Sequence, residues 1–178
     1  LGADVNEAGL PGLAEAAHTF YSVAGAERLK PVLEKFAGGE VAILIPKTPF
    51  KCPPAPYEAA LLLHHAFERR GLGGKARISI YTVEGIPMAT AGAEMGNHIK
   101  AELAQRGIAF HPQKKPVRVD AAARRIVFED GSEAGYDLLL QPLAHVPLIR
   151  PGGTCQASGG VGPTKAKLPI EAEPVSKI

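Results

Sequence analysis

Residues Glu40-Val-Ala-Ile-Leu-Ile45 open on one glutamate and continue as an apolar run rich in β-branched side chains, closed by a proline-rich turn and followed at once by a helical pattern. A strand without polar alternation is buried on both faces, and such strands belong to parallel sheets covered on both sides. The run therefore predicts the central strand of an α/β domain. Downstream, Ala55 to Arg70 puts Ala59, Leu62, Leu63, Ala66 and Phe67 on one face, opens on prolines and stops at Gly71. That is a helix.

The pattern extends in both directions. Leu29, Val32, Leu33 and Phe36 follow the i, i+3, i+4, i+7 spacing of a helix starting near Ala26, with Pro31 expected in its first turn and Gly38-Gly39 as its stop. After the central strand and its helix come a strand at Arg77 to Thr82, a helix from about Gly92 to Arg106 and a short strand at Ile108 to His111. This is a βαβαβ series. Val117 to Val119 and Arg125 to Glu129 alternate apolar and polar residues, and Asp130-Gly-Ser132 turns the chain, which predicts an antiparallel meander. Tyr136 to Leu140 reads as a closing buried strand. Residues 1–25 hold neither period for long and read as a connector. After about Gln141, glycine and proline interrupt every element, and we expect an irregular tail over 143–178.

Composition narrows the function classes. A net charge of +2, with 20 Lys and Arg scattered among 18 Asp and Glu, leaves no basic block for nucleic acid. No apolar run is long enough to span a membrane, so any membrane contact is expected to be peripheral. The start at Leu1, without a signal-peptide pattern, leads us to expect an upstream segment and leaves the compartment open. Cys52 and Cys155 are the two cysteines, too far apart for a CxxC motif and without support for a bridge.

Several features have bland readings. Gly71-Leu-Gly-Gly-Lys-Ala76 satisfies GxGxxA, yet it follows a helix and precedes a strand, the reverse of a phosphate-binding order, so it is a turn. Gly159 to Lys165 lacks the Gly-Lys-Ser/Thr order of a P-loop. His64 and His65 are adjacent on a helix and point about 100° apart, which does not suit one metal, and no metal site is expected. His98 and His111 are expected to be solvated or structural.

Five stretches together carry a resemblance: Gly2-Ala-Asp4, Pro46-Lys-Thr-Pro-Phe-Lys-Cys-Pro-Pro-Ala-Pro-Tyr-Glu58, Ile80-Tyr-Thr-Val-Glu-Gly-Ile-Pro-Met88, Arg106-Gly-Ile-Ala-Phe-His111 and Val127-Phe-Glu-Asp-Gly131. In this order they resemble the FAD-dependent sulfide:quinone oxidoreductases and the flavoprotein subunit of flavocytochrome c sulfide dehydrogenase, within the pyridine nucleotide-disulfide oxidoreductase superfamily. The resemblance covers roughly residues 1–142. It implies an α/β, Rossmann-like three-layer unit with a parallel sheet and an antiparallel β-meander, followed by the irregular tail. It also implies a division into a remnant of the FAD-binding domain and connector (1–25), an NAD(P)-binding-like domain (26–142) and an unaligned tail (143–178). The tail departs from the family pattern, which makes a truncated or frameshifted product one expectation.

For function, the resemblance implies an FAD-dependent oxidoreductase that oxidises sulfide or a related sulfur compound and passes electrons through FAD to a quinone or a cytochrome. FAD contacts are implied at Gly2, Ala3 and Pro46, but the glycine fingerprint and the second FAD segment are absent, so FAD is expected in the longer enzyme rather than on these residues alone. Cys52 is implied as the sulfur-accepting thiol and Glu58 as the group that manages protons. A second cysteine usually completes the pair, and Cys155 does not align with it.

The residues themselves support a reactive Cys52. Its turn occupies the place of a GxGxxG loop but contains no glycine, and Pro46, Pro49, Pro53, Pro54 and Pro56 remove amide donors, which disfavours a bound dinucleotide. A thiol just before a helix N-terminus, flanked by Lys47 and Lys51, is instead placed to favour thiolate. Two other readings stay open: an NAD(P)H-dependent flavoprotein reductase, and a non-catalytic remnant or interaction domain. Tyr57 reads as packing or as pocket lining.

Overall fold

A computed structural model describes residues 10–142 in full and the backbone of residues 3–6 and 144–147. At its centre lies β2 (Gly39–Ile45), flanked in parallel by β3 (Ala76–Thr82) and β8 (Leu138–Leu140), with β4 (Ala109–His111) parallel to β3 at the edge. The sheet order is β4-β3-β2-β8. The chain crosses from β2 to β3 through α3 (Ala55–Arg69) and from β3 to β4 through α4 (Ala93–Gln105), preceded by one 3-10 turn at Ala89–Ala91.

Alternation along β2 explains why its sequence shows no polar face. Val41, Ile43 and Ile45 pack with Leu29 of α2 (Val23–Lys35), with Ala60, Leu63 and Phe67 of α3 and with Leu103 of α4. Ala42 and Leu44 point the other way, onto Val119, Ile126, Phe128 and Ala134. Those last residues come from the antiparallel meander β5 (Pro116–Asp120), β6 (Arg125–Phe128) and β7 (Glu133–Gly135). The three layers are thus helices, parallel sheet and meander, as the α/β reading required. Asp130 makes the β6–β7 turn by accepting the Ser132 amide and hydroxyl at 3.0 and 2.6 Å.

The chain departs from the sequence expectations in four places. On α3 the buried stripe is Pro56, Tyr57, Ala60, Leu63 and Phe67, while Leu62 and Ala66, expected on that face, are exposed, because the helix turns its Pro56–Ala60–Leu63–Phe67 row to the sheet. The supposed connector contains α1 (Leu13–Ala16), whose Leu13 is a buried anchor of the meander-side core; one turn is too short to show a period. α2 begins at Val23, where the Ser22 hydroxyl caps the Gly25 amide at 3.1 Å, so Pro31 lies in the helix interior and not in its first turn. Beyond Gln141, where irregular chain was expected, β9 (Ala144–Pro147) pairs antiparallel with β1 (Ala3–Asn6), a ladder between segments far apart in sequence that local sequence cannot announce. Gly2, Cys155 and the rest of the tail lie outside the described residues.

Candidate functional site

The site lies at the carboxyl ends of β2 and β3, the side of an open parallel sheet where ligands gather. From Ile45 the chain enters the proline turn, and Phe50 drops into the helix-side core and pins it. Pro46 stands half-buried at its start, Lys47 and Lys51 are exposed on it, and the Cys52 thiol is free and exposed. Cys52 has φ 56°, the left-handed region that a residue with a Cβ seldom occupies. Its carbonyl accepts the Ala55 amide at 3.0 Å, and the Tyr21 hydroxyl also donates to it, at 3.4 Å.

The N-terminus of α3 has no free amide to offer an anion. Ala55 N–H is taken by Cys52, Pro56 has none, and Tyr57 and Glu58 N–H both donate to the Pro54 carbonyl at 3.1 and 3.0 Å. A phosphate at a helix start needs free amides. The turn therefore does not fit the diphosphate of FAD or of a nicotinamide dinucleotide, and the helix reaches Cys52 through its dipole alone.

Pro46, Cys52 and Glu58 lie along this one turn and the first turn of α3. Glu58 is exposed, and among the described residues no hydrogen bond joins it to Cys52. Ala3 lies in the separate β1–β9 sheet. Among the described residues no group of three His, Cys, Asp or Glu side chains is arranged for a metal ion, and no helix is long and apolar enough to cross a membrane.

Tyr57 is packed, and it is also the hub of a polar cluster that sequence reasoning missed. Its ring is 2% exposed and faces Phe110, while its hydroxyl donates to Glu84 Oε2 at 2.6 Å. Burial first, and then the bond to Glu84, push its ionisation well above the usual tyrosine range. Glu84 lies two residues past β3, where its amide donates to the fully buried Thr82 hydroxyl at 3.0 Å. Thr-x-Glu directly after a parallel strand was the available signal. Tyr21 was missed as well, because its segment read as connector; burial and then the charge of Cys52 raise its ionisation.

The family described as sulfide dehydrogenase (flavocytochrome c) flavoprotein chain, central, matches residues 27–139. No curated protein sequence matches the chain. Among solved structures, the chain is similar to the sulfide:quinone oxidoreductase of the hyperthermophilic bacterium Aquifex aeolicus, with 17% identity and a TM-score of 0.64 over 80% of this chain and 34% of that one. It is similar to a ferredoxin reductase of Rhodopseudomonas palustris, with 14% identity and a TM-score of 0.65 over 82% of this chain and 33% of that one. It is similar also to reduced CoADR-RHD of Bacillus anthracis, with 14% identity and a TM-score of 0.64 over 82% of this chain and 24% of that one. At these identities the likeness is one of fold, and the chain spans between 24% and 34% of those three proteins.

Proposed function

Because the chain belongs to the family of the central part of the flavocytochrome c sulfide dehydrogenase flavoprotein, we propose that it serves an FAD-dependent oxidation of sulfide or a related sulfur compound, with Cys52 as the sulfur acceptor. The observation that carries this reading is the exposed Cys52 thiol, held at φ 56° in a glycine-free turn. Strained backbone at an exposed nucleophile is a recurrent mark of functional sites. In this reading residues 26–142 are the NAD(P)-binding-like domain and residues 1–25 a remnant of the FAD-binding one.

Joining hydrosulfide to the Cys52 thiolate forms one S–S bond, frees one proton and leaves two electrons. Glu58, six residues on and exposed, takes the proton. Lys47 and Lys51 give the approach a positive rim that suits an anionic sulfur species. Bound FAD would supply the two-electron acceptor that this step needs, with a quinone or a cytochrome as the further acceptor; in this reading Gly2, Ala3 and Pro46 would be the residues of this chain that contact it in the longer enzyme.

A reductase fed by NAD(P)H is the second reading, since solved relatives of the fold include a ferredoxin reductase. The occupied first-turn amides of α3 argue against it. The test is the visible spectrum of the full-length product, titrated with sulfide and compared with Cys52→Ser. Sulfide should bleach flavin bands in the parent and leave them in the variant. Absent flavin bands in a protein complete at both ends overturn the reading; equal bleaching in both removes Cys52 from it. Flavin reduction by NADPH favours the reductase, and an unreactive Cys52 favours a non-catalytic remnant.

A further inference from the structure

We propose that Tyr57 is the positioning residue of the Cys52 turn, acting through the first turn of α3 without touching a substrate. The inference rests on the sulfur-accepting role given to Cys52 above. Tyr57 holds one end of a short chain of fixed contacts. The 2.6 Å separation of its hydroxyl from Glu84 Oε2 is that of a charge-assisted O–H···O⁻ bond.

Glu84 is itself anchored to the sheet. Its amide donates to Thr82 Oγ1 at 3.0 Å, and the Thr82 hydroxyl donates to the same carboxylate oxygen at 3.4 Å. Thr82 is fully buried and stands in register with Ile45, the last residue before the proline turn. On its far side the Glu84 loop is clamped by α4, where Gly96 meets Ile86 and Pro87 so closely that a Cβ would overlap both. The carboxylate that receives Tyr57 is therefore fixed to the strand beside β2.

From Tyr57 the support runs back to Cys52. Of the four residues between them three are proline, Pro53, Pro54 and Pro56, so the link is stiff. The Tyr57 and Glu58 amides hold the Pro54 carbonyl, and the Ala55 amide holds that of Cys52. A left-handed residue with a Cβ persists where its surroundings over-determine it, and Tyr57 supplies that constraint from the helix side.

The test uses the whole chain and the probe iodoacetamide, with peptide mass mapping to separate Cys52 from Cys155. Tyr57→Phe keeps the ring and removes the donor; Glu84→Ala removes the acceptor; Glu84→Gln keeps an acceptor oxygen for the phenol. With the turn no longer holding the exposed thiol in its φ 56° conformation, Tyr57→Phe and Glu84→Ala should each slow labelling of Cys52 roughly threefold or more. Glu84→Gln should label close to the parent rate, a rescue that loss of general stability would not give. Circular dichroism melts identify any unfolded variant, and if Tyr57→Phe does not fold, the Gln and Ala variants of Glu84 decide. Parent-like labelling of Tyr57→Phe, or equal slowing by Gln and Ala at Glu84, overturns the proposal. Labelling involves neither sulfide nor flavin, so it can fail or succeed independently of the sulfide titration.

Discussion

The hydroxyl of Tyr21 donates to the carbonyl oxygen of Cys52 at 3.4 Å, joining segments 31 residues apart in sequence. The bond lays the segment before α2 against the proline turn, and the Tyr21 ring is backed by that of Phe20, 5.0 Å away between centroids. A bond this long on an exposed carbonyl is weak. Tyr21→Phe keeps the ring pair and loses the donor, and should cost less than about 1 kcal/mol in urea unfolding. A loss well above that would mean the phenol supports more than this carbonyl.

Alkaline pH should loosen the fold, and the sign follows from the tyrosines. Burial raises the ionisation of Tyr21, Tyr57, Tyr81 and Tyr136 above its ordinary position, with the Glu84 bond adding to it at Tyr57 and the charge of Cys52 at Tyr21. The unfolded chain gives up these protons near about pH 10 while the folded chain keeps them. Folding stability from these groups is complete below that pH and falls as pH rises beyond it. Denaturant midpoints measured up the alkaline range should therefore decline, and Tyr57→Phe should decline less steeply. Midpoints that hold level above about pH 10 would contradict the burial of these rings.

Tyr136 offers a stabilising change. Among the described residues its hydroxyl is buried without a hydrogen-bond partner, while its ring packs in the meander-side core. An unsatisfied buried hydroxyl costs roughly 1–3 kcal/mol, part of which a phenylalanine recovers. Tyr136→Phe should raise the thermal midpoint by a few degrees, on the order of 1 kcal/mol at this chain length. A lowered midpoint would show that the hydroxyl does find a partner in solution.

What the sequence announced was whatever depends on neighbours in sequence. β2 was legible because Val41 to Ile45 must be buried on both faces, and the meander because Asp130-Gly131-Ser132 is a self-contained turn. The helix α3 and the glycine-free turn before it were legible for the same reason. The strand pair β1–β9 and the anchor Leu13 were not, since each depends on contacts with distant parts of the chain. The same limit hid half of the site. Tyr57 and Glu84 belong to different elements and meet because β2 and β3 pair in parallel, with Ile45 opposite Thr82. A tyrosine at a helix start and a glutamate after a strand carry no mark of each other.

Cys52 itself yields the sharpest test of whether the turn stores strain for its chemistry. At φ 56° any residue with a Cβ is held in a disfavoured region, and glycine is not. Cys52→Gly should therefore gain roughly 0.5–1 kcal/mol in urea unfolding, even after the added freedom of glycine in the unfolded chain. Cys52→Ser, which keeps the Cβ, should stay within about 0.5 kcal/mol of the parent. Both variants lose the thiol. If glycine stabilises and serine does not, the natural residue is held at the expense of stability, which is what a reactive position in this turn requires. If glycine destabilises, Cys52 is comfortable where it stands, and strain drops out of the argument for its reactivity.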